Sequence, residues 1–410
     1  MKRTLDAIVI GAGVSGLTCA RELRTAGLDI ELAEAADGVG GRIRTDSVDG
    51  FLLDRGFQVL LTAYPEARRT LNYENLRLKK FYPGALVRFS GAWHRVADPM
   101  RRPIEGALSI LNPIGSFADK LRVARLRLSG TRRYETGPEM DTLEALKGEG
   151  FSDAMIERFL RPFLGGVFLE TELQTTARKF ASVWKNFSSG DIAVPAEGME
   201  QIPRQLAQSL PQHAIRLKTR VESLGEGFVR LARGETVEAK NIVIATAANE
   251  AHRLLGSKSE PPEFNSVFCL YFNARRPPLR EPTLVLNGDG KGPINNLTVM
   301  SEVSPHYAPE GRSLVSVSIP SARISNPTAL ETEARIQLKE WFGEQTDSWR
   351  LLRSCHIQQA IPFQRTSVAA VPRIKKGLYL CGDHCGLASL DSAISSGRTA
   401  ALSLLHDFRG

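Results

Sequence analysis

The sequence predicts an α/β fold in which one domain with a parallel sheet is assembled from segments far apart in the chain. Two observations carry this prediction: an apolar strand, a glycine-rich turn and a helix near the N-terminus, and a similar arrangement near the C-terminus. A third is the different patterning between them, which predicts an inserted second domain. With 410 residues, the chain is long enough for two to three domains of ordinary size.

The composition excludes several classes of protein. Hydrophobic residues make up 42% and charged residues 24%, which argues against disorder, collagen and a disulfide scaffold. The five cysteines are an odd number without a CxxC pair, so we expect no disulfide framework, no metal site and a reducing, cytoplasmic environment. No apolar run approaches 18 residues, and the short apolar stretch after Met1-Lys2-Arg3 predicts no targeting signal.

The first motif is an apolar strand, Ala7 to Ile10, that runs into a glycine-rich turn and a helix. The turn consists of Gly11, Ala12, Gly13, Val14, Ser15 and Gly16. In a dinucleotide-binding turn the first glycine permits the tight bend, the second lets the backbone approach a pyrophosphate, and the third lets the helix pack closely. The helix N-terminus then favours the phosphate anion.

An acidic residue follows at the position that such a turn requires. A second strand, Leu28 to Ala33, ends in Glu34, whose carboxylate can accept hydrogen bonds from both ribose hydroxyls. The strand, the helix and the acid agree, so dinucleotide binding is favoured over a purely structural glycine turn. An acid here also disfavours a 2′-phosphate.

A second glycine pair, Gly40 and Gly41, precedes Arg42. These residues could bring backbone N–H groups and a guanidinium to the same pyrophosphate. A nicotinamide dehydrogenase does not need this element, and no second GxGxxG is present to bind NAD(P)H.

Motifs at both ends of the chain together resemble the flavin-containing amine oxidase superfamily, which includes protoporphyrinogen oxidases and carotenoid desaturases. They are GAGVSG with Glu34, GGRIRT from Gly40, LDRGFQ from Leu53, and YLCGD from Tyr379 followed by AISSG from Ala393. The resemblance implies a Rossmann-like FAD-binding domain and FAD as cofactor. Non-covalent binding is expected, because the cysteine that some monoamine oxidases use for attachment has no clear counterpart.

The resemblance also implies roles for further residues. Asp383, after Gly382, would hydrogen-bond the ribityl and pyrophosphate region, unless it is only a turn cap, and Val221 would meet the adenine through its backbone. Leu390 and Ala393 would lie beside the isoalloxazine ring, where the N-terminus of the helix Ser392 to Leu405 would stabilise reduced flavin. Four residues align with the segment that lies against the flavin, with core packing as the alternative for the two apolar ones: Gly56, Phe57, Gln58 and Val59.

These segments predict the domain organisation. Residues 1–60, 195–262 and 355–410 would form the FAD-binding domain, including a strand Ile215 to Val221 that leads into a hairpin. Residues 61–194 and 263–354 would form the substrate-binding domain. We expect its first part to be mostly helical, interrupted by Pro162, Gly165 and Gly166, and its second part to be an antiparallel sheet.

Residues 101–135 concentrate positive charge. Eight basic residues face three acids there, and apolar residues from Ile104 to Leu126, including Ile110 and Leu111, are interleaved with them. Such a segment can lie on an anionic bilayer, which would make the protein peripheral at the inner face of a membrane; the alternative is a solvated helix face. With few aromatic residues and no recognisable module, nucleic-acid binding is not expected.

The predicted function is an FAD-dependent oxidoreductase that transfers a hydride equivalent from a small-molecule substrate to flavin N5. Because the cofactor carries the redox step, the sequence identifies no catalytic residue, and Lys291, the nearest lysine in the sheet region, is not assigned this role. An apolar, polyene or porphyrinogen-like substrate is favoured over a small amine or amino acid, since no aromatic pair stands in the C-terminal segment. A non-catalytic flavin- or lipid-binding protein is a third alternative.

Overall fold

A computed structural model describes residues 4–109, 112–321, 326 and 328–409 of the chain. Met1 to Arg3 and two residues of the basic segment, Ile110 and Leu111, lie outside the described residues.

The N-terminal segment supplies the centre of a parallel sheet. Its elements are β1 (Ala7–Ile10), α1 (Val14–Thr25), β2 (Ile30–Ala33), β3 (Thr45–Val48), β4 (Phe51–Asp54) and β5 (Leu60–Leu61). All four residues of β1 are buried, as expected of a parallel strand that is covered on both faces. Gly27 follows α1 with φ +88°, a left-handed conformation that glycine adopts without strain.

Residues 65–194 are mostly helical. Their elements are α2 (Pro65–Thr70), α3 (Tyr73–Leu76), β6 (Lys79–Lys80), β7 (Gly84–Phe89), β8 (Ala92–Ala97), α4 (Pro103–Ser109), α5 (Phe117–Ser129), α6 (Arg132–Thr136), α7 (Thr142–Gly148), α8 (Asp153–Met155), α9 (Arg161–Phe168), α10 (Ala177–Ser189) and β9 (Ile192–Val194).

The prediction that Pro162, Gly165 and Gly166 interrupt the helical segment is wrong. Helix α9 runs through all three residues, after a π-helical turn over Ile156–Leu160. Pro162 closely follows the π-helical turn, where the helical hydrogen-bond pattern is already irregular, and the helical conformation continues from Asp153 to Phe168. A Cβ on Gly166 would lie 3.0 Å from Oδ1 of Asn296, so the glycines let α9 pack closely instead of ending it.

The hairpin of β7 and β8 was not predicted within this helical region. Ser90 and Gly91 connect the two strands with φ +51° and +73°. Positive φ at both central residues is typical of a two-residue hairpin turn. The Ser-Gly pair between two apolar stretches was therefore a usable signal.

The next segment returns to the parallel sheet. It contains α11 (Gln201–Gln208), β10 (Ile215–Arg216), β11 (Val221–Gly225), β12 (Phe228–Leu231), β13 (Thr236–Glu238), β14 (Ile242–Ile244) and α12 (Ala248–Leu254). The strand predicted over Ile215 to Val221 is divided, because the intervening loop turns around the end of β2. In that loop the N–H of Lys218 donates to the carbonyl of Ala36, and Lys218 has φ +53°.

The second part of the inserted region is a sheet, as predicted. Its elements are β15 (Phe264–Ala274), β16 (Leu284–Asn287), β17 (Asn296–Val299), α13 (Met300–Val303), β18 (Ser313–Pro320), α14 (Leu330–Phe342) and β19 (Arg350–Pro362). The strand order is β19-β15-β18-β17-β16-β7-β8, with antiparallel pairs except β16 and β7. Strand β19 is continuous across the domain boundary predicted at residues 354 and 355. The domain division itself stays a prediction.

The C-terminal segment contains β20 (Arg373–Lys375), β21 (Leu378–Leu380) and α15 (Leu390–Arg409), which confirms the predicted strand and helix. The sheet that contains β1 has the order β10-β2-β1-β14-β21-β20, with parallel pairs except β21 and β20, so three distant segments of the chain meet in it. Helix α15 packs on α1 so closely that a Cβ on Gly397 would lie 2.2 Å from the carbonyl oxygen of Ser15. In the described part of the chain, no helix has both the length and the apolar composition needed to span a bilayer.

Candidate active site

The glycine turn after β1 has the geometry that its sequence predicts. A Cβ on Gly11 would lie 2.8 Å from the carbonyl oxygen of Ala245, and one on Gly16 would lie 2.0 Å from that of Gly11. A Cβ on Gly13 would meet no atom within 4 Å. The first and third glycines therefore permit close packing, whereas the second presents its backbone to open space.

Glu34 lies at one end of the region around the glycine turn. One carboxylate oxygen accepts a hydrogen bond from the N–H of Ala12 at 2.6 Å, and the other accepts one from Ala36 at 2.8 Å. The loop that divides the predicted strand wraps around this residue, since the N–H of Thr219 donates to the Glu34 carbonyl at 2.7 Å. The same loop brings Val221 to this end.

The second glycine pair lies directly against the first turn. The N–H of Gly40 donates to the carbonyl of Ala12 at 2.8 Å, and a Cβ on Gly41 would be 3.5 Å from Cα of Gly13. The structure therefore brings the two glycine-rich segments together, as the sequence predicts.

Arg42 connects this region to the C-terminal segment. Its guanidinium donates to Asp383 at 2.6 Å and to the carbonyl of Ala360 at 3.2 Å. Burial of Asp383 alone would raise the pKa of its carboxyl group, but the positive charge of Arg42 and the contact with His384 hold that pKa well below its usual range. Asp383 is therefore ionised at neutral pH.

The segment after β4 is fixed by a buried carboxylate. Asp54 accepts hydrogen bonds from the hydroxyl of Thr45 at 2.5 Å, the hydroxyl of Tyr307 at 2.6 Å and the N–H of Met199 at 2.9 Å. Burial outweighs these bonds and raises the pKa of Asp54 to about 6. The neighbouring strand β3 and two distant segments are thereby tied to the strand that leads into residues 56–59.

Gln58 holds the next turn in place. Its side-chain amide donates to the carbonyls of Arg42 at 2.9 Å and Arg55 at 3.0 Å. Phe57 and Val59, on either side of it, face the same cavity as Gln58. The structure therefore brings three of the four residues predicted for this segment to the cavity, and their contact with a flavin stays a prediction.

These elements surround one cavity of about 680 Å³. It brings together most of the predicted site residues: Gly11, Gly13, Val14, Ser15, Glu34, Gly40, Gly41, Arg42, Phe57, Gln58, Val59, Val221, Gly382, Asp383, Leu390 and Ala393. Ala12, Gly16 and Gly56 do not line it. Ala12 instead fixes Glu34 and Gly40 through its backbone. Whether these residues bind a flavin stays a prediction.

The cavity extends into a region that the sequence did not assign to the site. Phe163 and Val167 of α9 form one wall, and Leu284 and Leu286 of β16 form another. A third wall comes from α10, where the residues that face the cavity are Lys179, Ser182, Val183 and Phe187. Ser182, Val183 and Phe187 follow Lys179 by three, four and eight residues, which places all four on one helix face. This spacing is the sequence signal that could have identified them.

Lys179 is the unusual member of this wall. Its side chain is buried, with 4% of the residue exposed. Burial disfavours the ammonium form and lowers the pKa of Lys179 to about 8. Lys291, the lysine considered from the sequence, does not line the cavity.

A comparison with protein families identifies the fold. The sequence model of the family described as flavin containing amine oxidoreductase matches residues 14–405. This chain belongs to that family. The membership confirms the resemblance drawn from the motifs, and it implies a flavin cofactor and oxidoreductase chemistry.

Among curated relatives, this family member is similar to protoporphyrinogen oxidase 2 of Arabidopsis thaliana, with 39% identity over 187 residues. It is 27% identical over 172 residues to coproporphyrinogen III oxidase of Propionibacterium freudenreichii. These matches cover 44% and 39% of this chain. The chain spans only 37% and 31% of the relatives' own length.

A solved structure matches along the whole chain. Cyclohexylamine oxidase from Brevibacterium oxydans superposes with a TM-score of 0.72 and 15% identity, covering 100% of both chains. At this identity the likeness supports the fold alone. It confirms the predicted α/β fold with an FAD-binding amine oxidase architecture.

Proposed function

We propose that this family member binds FAD non-covalently across the cavity and oxidises an apolar substrate at the end lined by α9, α10 and β16. The observation that carries the proposal is the single cavity that joins the glycine turn and Glu34 to an apolar chamber. The two halves correspond to the two requirements of a flavin enzyme, a site for the dinucleotide and a dry site for the substrate.

The residues of the glycine-rich half fit the cofactor. The open side of Gly13, at the N-terminus of α1, leaves room for a pyrophosphate beside free backbone N–H groups. Glu34 is oriented by two backbone N–H groups and retains lone pairs for ribose hydroxyls. Arg42 adds positive charge, and Val221 lies at the adenine end. Of the residues that the structure describes, no cysteine or histidine lines this cavity, which supports non-covalent binding.

The chemistry is divided between cofactor and protein. When bound here, FAD supplies the acceptor at N5 for a hydride equivalent from a substrate C–H bond. The chain orients the substrate through Phe163, Val167 and Leu286 and excludes water from the reacting atoms. Leu390 and Ala393, in the first turn of α15, and the Phe57-Gln58-Val59 segment are the proposed contacts of the flavin ring.

The walls favour an apolar, polyene or porphyrinogen-like substrate over a small amine. Within the described residues, the acids that line the cavity are Glu34, Glu250 and Asp383. Glu34 and Glu250 lie at the dinucleotide end, where Glu250 pairs with Arg220. Asp383 is paired with Arg42. A buried lysine in the chamber would also repel an ammonium group. The names of the two curated relatives, which are porphyrinogen oxidases, agree with this preference.

We also propose that the basic segment 101–135 contacts a membrane. Helices α4 and α5 expose Ile104, Leu108, Phe117 and Leu121, each by more than half of its surface. Several basic residues nearby are paired, for example Arg122 with Asp119, so the free positive charge is smaller than the sequence suggests. The exposed apolar side chains therefore carry this proposal more than the charge does.

Anaerobic mixing tests the function. The flavin-loaded protein is mixed with protoporphyrinogen, coproporphyrinogen, phytoene in detergent, putrescine and cyclohexylamine, and the absorption of oxidised flavin is followed. We expect a porphyrinogen or the polyene to bleach the flavin and the amines to leave it oxidised. Bleaching by an amine alone would establish the amine oxidase alternative. Bleaching by dithionite but by no substrate would favour a non-catalytic protein.

A further inference from the structure

Lys179 presents an ammonium group to the substrate end of the cavity. It is the third residue of α10 and shares a face with Ser182, Val183 and Phe187, which also line the cavity. Only 4% of the residue is exposed to solvent. The ammonium group is thus withdrawn from bulk water but adjoins the space where a substrate would lie.

Among the described residues, Lys179 Nζ has no hydrogen-bond or ion-pair partner within contact distance. It lies 5.6 Å from the centre of the Phe168 ring, a weak cation–π contact. The charged groups that face it are Asp383 before α15, Glu170 after α9, and Arg42 in the second glycine segment. The two acids attract the ammonium group and Arg42 repels it.

Neither acid is available as a close partner. Asp383 is bound to the guanidinium of Arg42 at 2.6 Å. Glu170 accepts hydrogen bonds from the N–H groups of Leu173 at 2.6 Å and Thr175 at 3.0 Å. A buried ammonium group without a direct partner is unfavourable, because burial removes its hydration. Its pKa of about 8 nevertheless leaves it mostly protonated at neutral pH.

From this geometry we infer that Lys179 binds a carboxylate of the substrate, so that the cavity selects apolar molecules that carry an acidic group. A carboxylate at this place would supply the charge-assisted hydrogen bond that Lys179 lacks. This inference rests on the proposed function, because it assigns the substrate end of the same cavity. It makes Lys179 a specificity-determining residue, which the sequence did not identify.

Two other roles for Lys179 predict different behaviour. A lysine that binds the cofactor would be needed for flavin retention, whatever the second ligand. A lysine that acts only as a base would affect turnover without favouring anionic over neutral ligands. Ligand binding to the resting, oxidised flavoprotein separates these roles from carboxylate recognition.

The test compares two probes that differ in charge. The carboxylate 1-pyrenebutyrate and the neutral alcohol 1-pyrenebutanol are titrated into the flavin-loaded protein, and each dissociation constant is measured from the change in flavin absorption. In the wild type at pH 7 we expect the carboxylate to bind at least about tenfold more tightly. At pH 9.5 the preference should largely disappear, because the ammonium group has then lost its proton.

Variants assign the preference to one residue. Lys179→Met should abolish it while retaining the flavin, and Lys179→Arg should preserve it. The matched control is Lys185→Met on the same helix, where the side chain is 66% exposed and pairs with Glu135, and this variant should bind as the wild type does.

Several results would overturn the inference. These are no preference for the carboxylate in the wild type, an unchanged preference in Lys179→Met, or loss of flavin from that variant with its fold intact. If Lys179→Met does not fold, the pH dependence in the wild type and the behaviour of Lys179→Arg still decide the question. Failure of every substrate to bleach the flavin would reject the proposed function, but it would leave this binding measurement unaffected.

Discussion

The guanidinium of Arg42 donates to the carboxylate of Asp383 at 2.6 Å, although the two residues are 341 positions apart in the chain. The pair lies where the second glycine segment meets the turn before α15, and both residues line the cavity. It is therefore a direct contact between the two ends of the chain at the proposed cofactor site.

The Arg42–Asp383 pair predicts how the site responds to acid. A carboxyl group with a lowered pKa stabilises the folded state above its unfolded pKa, and this stabilisation is lost as the pH falls through its folded pKa. In Arg42→Met the pKa of Asp383 should rise, so flavin release should begin at a higher pH. The measurement is flavin fluorescence released between pH 3 and 7. As a control, Arg44→Met removes an arginine that pairs with the exposed Asp37, and its release curve should match the wild type.

Glu34 should determine cofactor affinity. Glu34→Gln replaces one of two accepting oxygens by an amide NH₂ group, which would face a backbone N–H group. We expect the affinity of the apoprotein for FAD to fall at least about tenfold, measured by titration. Glu226→Gln, at an exposed carboxylate in the turn between β11 and β12, is the control. Equal FAD affinity in the wild type and Glu34→Gln would contradict the assignment.

The raised pKa of Asp54 should make the free energy of unfolding fall as the pH rises, whereas a salt-bridged carboxylate has the opposite effect. Its pKa rises from 3.8 to about 6 on folding, so the folded state binds the proton more tightly. The contribution of Asp54 to the free energy of unfolding is therefore greatest below about pH 4. It falls between about pH 4 and pH 6 and stays constant above pH 6. Between these two pH values the free energy of unfolding falls by roughly 3 kcal/mol through this group.

Asp54→Asn isolates this contribution from those of other carboxylates. Urea unfolding of both proteins from pH 4.5 to 8 should show the stability of the wild type falling relative to the variant up to about pH 6. The difference should then become flat. A difference that is independent of pH would show that Asp54 has an ordinary pKa.

Gly397 should be required for the packing of α15 on α1. Gly397→Ala would place a Cβ 2.2 Å from the carbonyl oxygen of Ser15, and that backbone cannot move without shifting the glycine turn. We expect a loss of about 1–3 kcal/mol in the free energy of unfolding, together with weaker FAD binding. Gly148→Ala, at the end of α7, meets no atom within 4 Å and should be neutral or slightly stabilising in the same assay.

The exposed apolar side chains of α4 and α5 predict binding to vesicles. Ile104→Asn combined with Leu121→Asn should reduce sedimentation with anionic phosphatidylserine vesicles, because both side chains are more than half exposed. Ile336→Asn on α14 changes a residue of similar exposure, 66%, on another helix and should have no effect. Sedimentation of the double variant at the wild-type level would reject the membrane proposal.

The sequence predicts those parts of the site that short motifs in the chain encode. The glycine turn, Glu34 and the strand and helix around Asp383 follow from motifs with defined spacing. The hairpin of β7 and β8 was missed although Ser90 and Gly91 are a local turn signal, but its place in the sheet depends on the parallel pairing of β7 with β16, where Val87 lies opposite Leu286. No local pattern encodes such a distant register.

The same limit explains why Lys179 was missed. A lysine on a helix is normally exposed, and only the packing of α10 over the cavity makes this one buried. The Arg42–Asp383 contact was likewise not derivable from either motif alone. It depends on the sheet that brings β1 and β21 to either side of β14.

The most direct test of the account is the flavin content of the purified protein. The protein should be yellow and should release about one intact FAD per chain on denaturation, whereas Gly13→Val, which fills the open side of the glycine turn, should be colourless. A colourless wild-type protein that takes up no added FAD, or a flavin that stays attached to the denatured chain, would contradict it.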